Sequence, residues 1–385
     1  MPGNTSTNEP SAAQPTERIL SASTSSWWPH ASPIWQHVSL SKRLLIDYLE
    51  PKVHPALKQS NWRTIVVKGS YKRGNNTIIS STENPGRGFN WQRPTAEVAD
   101  ELTVLLHCFP GIDYVRHYAS LISTYFSILP DHNEMLPQVR FELPELGASS
   151  HLFSHSNIVD IGQADVIIMG YLENCPGHVI ECKRDFAEIR ILQEEVMFSW
   201  TKHKTAQGYN VAYLGCAVPL WGEVVEEFVH LLKRLSQMKC VLYVGRVGSL
   251  DSASKPNEVL ATGTRCNIGD EVMHWDNALS AAVSSSPNVH HGGLVTVSSP
   301  LCEDHVWFQR WKEECRWVDC ETAYIARASK ECGIAFGYLH IVSDNLGREY
   351  ADSLANEDTK EILAKRSVLF EEIDRILGRF LKDFV

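Results

Sequence analysis

"VDCETAYIARASKECGIAFGYLHIVSDN", residues 318–345, sets Asp319 and Glu321 ahead of what reads as a helix and Asp344 at the end of what reads as a buried strand. The helix is expected to begin near Glu321–Thr322, where acids suit the positive end of its dipole, and to stop at Gly333. At ~1.5 Å per residue it descends roughly 17 Å. The strand from Ile334 to Val342 climbs back at ~3.3 Å per residue, far enough to regain the starting edge. Asp344 then emerges close to Glu321, at the carboxyl edge where open α/β sheets place their ligands. A plainer reading stands beside this one: Asp319 and Glu321 cap a helix, and Asp344 opens a turn with Asn345.

The surrounding chain has the same rhythm. "ADVIIMG" (164–170), "YNVAYLGC" (209–216), "EVLATG" (258–263) and "GGLVTVSS" (292–299) read as strands, and "KCVLYVGRVGSL" (239–250) as a strand running into a glycine turn. "GEVVEEFVHLLKRLSQ" (222–237) is an amphipathic helix, and the residues from Thr359 onward form a long closing helix. Strands of this length interleaved with helices predict an α/β fold: a three-layer α/β/α sandwich around a mixed, mostly parallel sheet, from about residue 155 to 385.

The N-terminal part is different. Residues 1–26 are rich in Ser, Thr, Pro and Asn and read as a disordered tail; Trp27, Trp28 and Trp35 beside it would pin it to the globular body or cover another subunit. Residues 27–150 read as an α/β extension of unknown role. In it "TIVVKG" (64–69) is a strand, while "AEVADELTVLLH" (96–107) and "IDYVRHYASLISTYFSIL" (112–129) read as helices.

A net charge of −10 argues against a nucleic-acid backbone as the main partner. The absence of a long apolar run argues against a membrane span, and the N-terminus has no secretory pattern. Ten cysteines without a CxxC pair read as free thiols in a reducing, cytoplasmic setting. "HLFSH" (151–155) has two histidines four apart without the glutamate of a helical zinc site, "HH" (290–291) reads as solvent-facing, and "SYKRG" (70–74) as a solvated basic turn; no metal site is expected.

"VDCETAYIARA" resembles the V-E-M-E-A-A-A segment of the nucleoside phosphorylase and nucleosidase superfamily, and "IVSDN" resembles its later Ser-Asp motif. "CVLYVGRVGSL" is similar to the family's strand with R-V-G-S/T-x-G-G, "EVLATGTRC" to its D-V-V-I-A-T-G-A strand, and "HHGGLVTVSSPLCED" to the strand leading into its substrate loop. The five segments occur in the family's order and cover roughly residues 158–385.

The resemblance implies roles. Glu321 falls on the acid that hydrogen-bonds the ribose 2′- and 3′-hydroxyls, and Cys320 on the methionine beneath the sugar. Asp319 replaces the first, longer acid of that motif. Asp344 falls on the acid that protonates purine N7, with Ser343 orienting it. Gly245 and Gly248 fall on glycines that let the backbone approach the ligand. Such chemistry needs an acid for the departing base and a negative group beside the positive charge growing on the sugar. The Ser343–Asp344 pair suggests a purine, since pyrimidine-specific members lack that acid.

The chain departs from the family around phosphate. Tyr243 and Arg246 stand where phosphorylases carry Arg and Ser/Thr, and the early loop reads "GYLENCPG" (170–177) in place of Gly-Asp-x-x-Arg. Hydrolysis is therefore the more natural expectation, with Glu173 the acid in the loop from which nucleosidases position water. Phosphorolysis stays open, with Arg246 holding inorganic phosphate as co-substrate. No other cofactor is implied. A small nucleoside-like substrate and a homo-oligomer are expected. The alternative is a diverged pocket that binds a nucleotide as a sensor or processes another small molecule in secondary metabolism.

Overall fold

The computed structural model describes residues 30–384 apart from 35, 75, 86, 130–135, 173–174 and 176–196. The expectations for the tail 1–26, for the three tryptophans and for Glu173 lie outside the described residues.

Among the described residues the backbone forms two sheets. The second is mixed and has eleven strands, six of its pairings parallel and four antiparallel. At its centre β8 (Cys240–Ser249) runs parallel to β15 (Ala335–Asn345) along its length and parallel to β5 (Val166–Gly170) along its first half. β5 in turn pairs with β7 (Asn210–Cys216). These strands are apolar on both faces, as a sheet covered on both sides requires. Ile167, Met169 and Val241 pack with helix Glu223–Ser236 and helix Thr322–Glu331. Val166, Ile168, Leu242 and Val244, on the opposite face, pack with helix Lys360–Asp383 through Leu369, Phe370, Ile373 and Ile376. The three-layer α/β/α arrangement follows.

The first sheet has four strands: β1 (Thr64–Lys68), β2 (Thr95–Asp100), β3 (Thr103–His107) and β4 (Gln138–Glu142), in the order β2–β3–β1–β4. β1 runs parallel to both β3 and β4. Here one expectation fails. Residues 96–107 are no helix: β2 and β3 form an antiparallel hairpin. Leu102 N–H donates to Asp100 Oδ1 at 2.8 Å to close the turn, and β3 buries Val104 and Leu106 while leaving Thr103 and Leu105 half-covered. The period of two and pairing with β1 outweigh the helical propensity of Ala and Glu.

A second expectation fails at "GRVGS". The segment does not turn; β8 continues through Gly245 and Gly248 to Ser249, held by β15 on one edge and by β14 (Trp317–Asp319) on its last two residues. A Cβ on Gly248 would stand 2.8 Å from Leu346 Cδ1 and 2.9 Å from Val318 Cγ1. That glycine serves close packing between strands rather than a bend.

The described residues of the N-terminal part pack against the rest. One hydrophobic core runs from Ile65, Leu106 and Ile122 to Phe153, Phe198 and Phe228. Helix Ile112–Ile128 has no capping side chain of its own; Glu223 accepts from the Ile112 N–H and, at 3.4 Å, from the Asp113 N–H. Residues 88–92 lie along the end of β7. Cys216 N–H donates to Gly88 O at 3.0 Å, Asn90 N–H to Cys216 O at 2.6 Å and Gln92 N–H to Ala217 O at 2.9 Å. This strap carries Arg87 and Arg93 at its two ends.

Candidate functional site

The carboxyl ends of β8, β14 and β15 open into a cavity of about 460 Å³, within the ~300–1,000 Å³ of small-molecule sites. Glu321, Asp344, Cys320, Ser343, Asp319, Gly245, Arg246 and Gly248 all line it. The helix-down, strand-up path expected from residues 318–345 thus brings Glu321 and Asp344 to one chamber.

Asp344 owes its direction to a bulge. The register between β15 and β8 slips between Val342 and Asp344, and such an extra residue re-aims the next side chain. The Ser343 hydroxyl donates to Asp344 Oδ1 at 2.8 Å. Burial raises the Asp344 carboxyl above its usual range, opposed by the Ser343 hydrogen bond and by the charges of His37, Arg246 and Arg366. Glu321 is half-buried and does not cap the helix it precedes. Its carboxyl is pushed well up, first by burial and then by the neighbouring Asp319, with Arg246 pulling the other way.

Asp319 plays the plainer part. It ends β14, and its oxygens are taken: Oδ1 accepts from Thr296 Oγ1 at 2.8 Å, and Oδ2 from the Thr322 N–H at 2.9 Å and from the Thr322 hydroxyl. Burial still lifts it to about 6. Cys320 lies buried at the wall, its thiol raised by the same cause. Arg246 projects from β8, pairs with Glu357 and lies 5.5 Å from the Tyr171 ring centre.

The other expectations resolve structurally. In "SYKRG", Lys72 pairs with Glu97 and Arg73 with Glu83. The His151 and His155 rings lie 4.2 Å apart, tilted by 40°. His290 Nδ1 lies 3.1 Å from Arg316. The described cysteines are all free, and no described helix is long and apolar enough to cross a membrane.

Several cavity groups went unseen in the sequence. Glu303, buried and 3.4 Å from His37 Nε2, is pushed up to about 7 by burial; it stands in the segment read as leading to the substrate loop. Lys52, Arg87 and Arg93 come from the extension, as do Tyr48, Trp91 and Tyr114.

Glu303 predicts a pH effect. Its folded-state carboxyl holds a proton to about 7, whereas the unfolded one releases it near 4.5. The folded state thus binds more protons between these values, and this group's contribution to stability falls as pH rises through the window. Glu303→Gln lacks that loss. The melting temperature of the variant minus that of the wild type is expected to increase from pH 4.5 to 7 and level off above. A difference flat with pH would refute this.

No family model matches the chain. Solved structures similar to it include nucleosidases and purine nucleoside phosphorylases, the class whose motifs the sequence resembles. One is the 5′-methylthioadenosine/S-adenosylhomocysteine nucleosidase of Colwellia psychrerythraea in complex with adenine (15% identity, 57% of this chain and 96% of that one, TM-score 0.39). Another is Schistosoma mansoni purine nucleoside phosphorylase in complex with adenosine (14% identity, 62% and 95%, TM-score 0.42). Among curated proteins, Oxidoreductase cns1 of Cordyceps militaris is 22% identical over 274 residues. The match takes in 65% of this chain and 33% of that protein, so the chain spans about a third of the relative's length.

Proposed function

We propose that this chain cleaves the N-glycosidic bond of a purine-type nucleoside. The observation that carries the reading is the meeting of Glu321 and Asp344 in one cavity, each carboxyl raised by burial. Asp344 donates its proton to N7 of the base while the electron pair of the C1′–N9 bond passes to the ring. Glu321 accepts hydrogen bonds from the ribose hydroxyls and offsets the positive charge that develops on the sugar. Water, or phosphate, completes C1′, and the proton released from a water nucleophile restores the acid. Cys320 forms the sugar floor, and Trp221 and Tyr243 offer aromatic surface beside it.

The test is a product assay for free base from inosine, adenosine and methylthioadenosine, with and without phosphate. Base release without phosphate is the expected result. Release only with phosphate makes the chain a phosphorylase. Ligand-dependent thermal stabilisation with no base released under either condition would overturn cleavage and favour a sensor.

A further inference from the structure

The same cavity also gathers cations. Four cations line it: Lys52, which follows helix Lys42–Leu49; Arg87 and Arg93 at the two ends of the strap; and Arg246 on β8. Some cations elsewhere in the molecule have a carboxylate of their own, as Arg73 has Glu83 and Arg327 has Glu226. Here the carboxylates are shared: Glu357 also lies 3.9 Å from Arg366. Arg87 pairs with Asp358 at 2.8 Å and Arg246 with Glu357, while Lys52 Nζ lies 3.9 Å from the same Glu357. Arg93 donates to the backbone carbonyls of Asn90 and Gln92, at 3.0 and 3.1 Å, and among the described residues no carboxylate pairs with it. Arg93 is thus left without a carboxylate among the described residues, and Lys52 has only a distant share of Glu357.

Rigid elements hold this arrangement. Lys52 Nζ donates to Tyr48 O at 3.2 Å and sits 3.8 Å over the Tyr48 ring centre. Arg87 and Arg93 are fixed by the strap's hydrogen bonds to the end of β7. The crowding is visible in Lys52, whose ammonium is brought down to about 7 by burial first and then by Arg246, Arg93 and Arg87. An anion in the chamber would relieve that repulsion.

We propose that Lys52, Arg87, Arg93 and Arg246 form a receptor for a phosphoryl dianion, so that the extension completes the substrate site of the second sheet. Guanidinium groups suit the oxygens of such a dianion bidentately, and Lys52 adds a further donor that the dianion itself would hold protonated. The inference rests on the glycosidase reading only for the nucleoside part of the ligand. The phosphoryl group is either esterified, on a purine nucleoside 5′-monophosphate, or free, as the inorganic phosphate whose oxygen bonds to C1′ when the C1′–N9 bond breaks.

The experiment is calorimetric binding at constant ionic strength of inosine, adenosine, their 5′-monophosphates and inorganic phosphate. The proteins are the wild type, Lys52→Met and Arg93→Gln. At least one phosphate-bearing probe is expected to bind the wild type. Each variant should lose roughly tenfold or more of that affinity, with a much smaller change for inosine. Because the two substitutions lie in separate segments, a folding defect in one, seen in its ligand-free melting curve, leaves the other to decide. Preference for the monophosphate identifies the ester; dependence of base release on inorganic phosphate identifies the co-substrate. Phosphate-dependent binding without base release upholds the receptor and ends the glycosidase reading. Base release with wild-type phosphate affinity in both variants, or with no phosphate binding at all, overturns the receptor alone.

Discussion

Asp344→Asn is expected to lose ~10²–10⁴-fold in turnover on a purine nucleoside, the range a positioned general acid contributes, while binding changes little. The substitution keeps the shape of the side chain and its place after the bulge, and an amide oxygen can still accept from Ser343. What disappears is the transferable proton. The wild-type carboxyl is suited to the task because burial raises it, although Ser343, His37, Arg246 and Arg366 all work against that rise. On the alkaline side, rate should fall as Asp344 ionises, since the acid form is the one that acts. The measurement is single-turnover base release across pH, alongside calorimetric affinity. Unchanged turnover would remove Asp344 from the chemistry, whereas lost binding with unchanged single-turnover rate would make it a contact for the base.

The same residue illustrates what the sequence conveys. β5, β7, β8 and β15 were legible because a strand covered on both faces must be apolar along its length, a pattern no surface segment shares. The convergence of Glu321 and Asp344 followed from chain reversal alone: one helix down, one strand up. The bulge at Ser343 was not legible, since it is a matter of register between β15 and β8. The hairpin 95–107 was missed because its alternation is short and its residues have mixed preferences. Gly245 and Gly248 signalled close approach, and the sequence offers no means of telling approach by a neighbouring strand from a turn. Lys52 and the strap that bears Arg87 and Arg93 lie in two separate segments with no diagnostic spacing. The pairing of residues 88–92 with β7 brings Arg87 and Arg93 to the cavity the acids line. A motif can encode the acids because they flank one helix–strand unit; the cations belong to tertiary structure.

Asp319 separates fold from chemistry most sharply. It lines the cavity beside Glu321, yet its bonds run into the protein, to Thr296 and to both the backbone and hydroxyl of Thr322. Thr296 Oγ1 also accepts from the Ala323 N–H at 3.0 Å, so the two threonines and Asp319 together satisfy the start of helix Thr322–Glu331. Asp319→Ala removes the cap and orphans buried donors. Loss of a cap costs about 1 kcal/mol and each orphan about 1–3, so a destabilisation of about 3 kcal/mol is expected in denaturant melts. Asp319→Asn should lie between, its amide oxygen serving one donor while its NH₂ meets another. A second effect follows from charge: Asp319 is the neighbour that raises Glu321 after burial itself. Its removal should move the pH limb governed by Glu321 to lower pH, as loss of a nearby like charge favours ionisation. A stable Asp319→Ala protein whose nucleoside affinity alone collapses would instead make Asp319 a direct contact to the sugar.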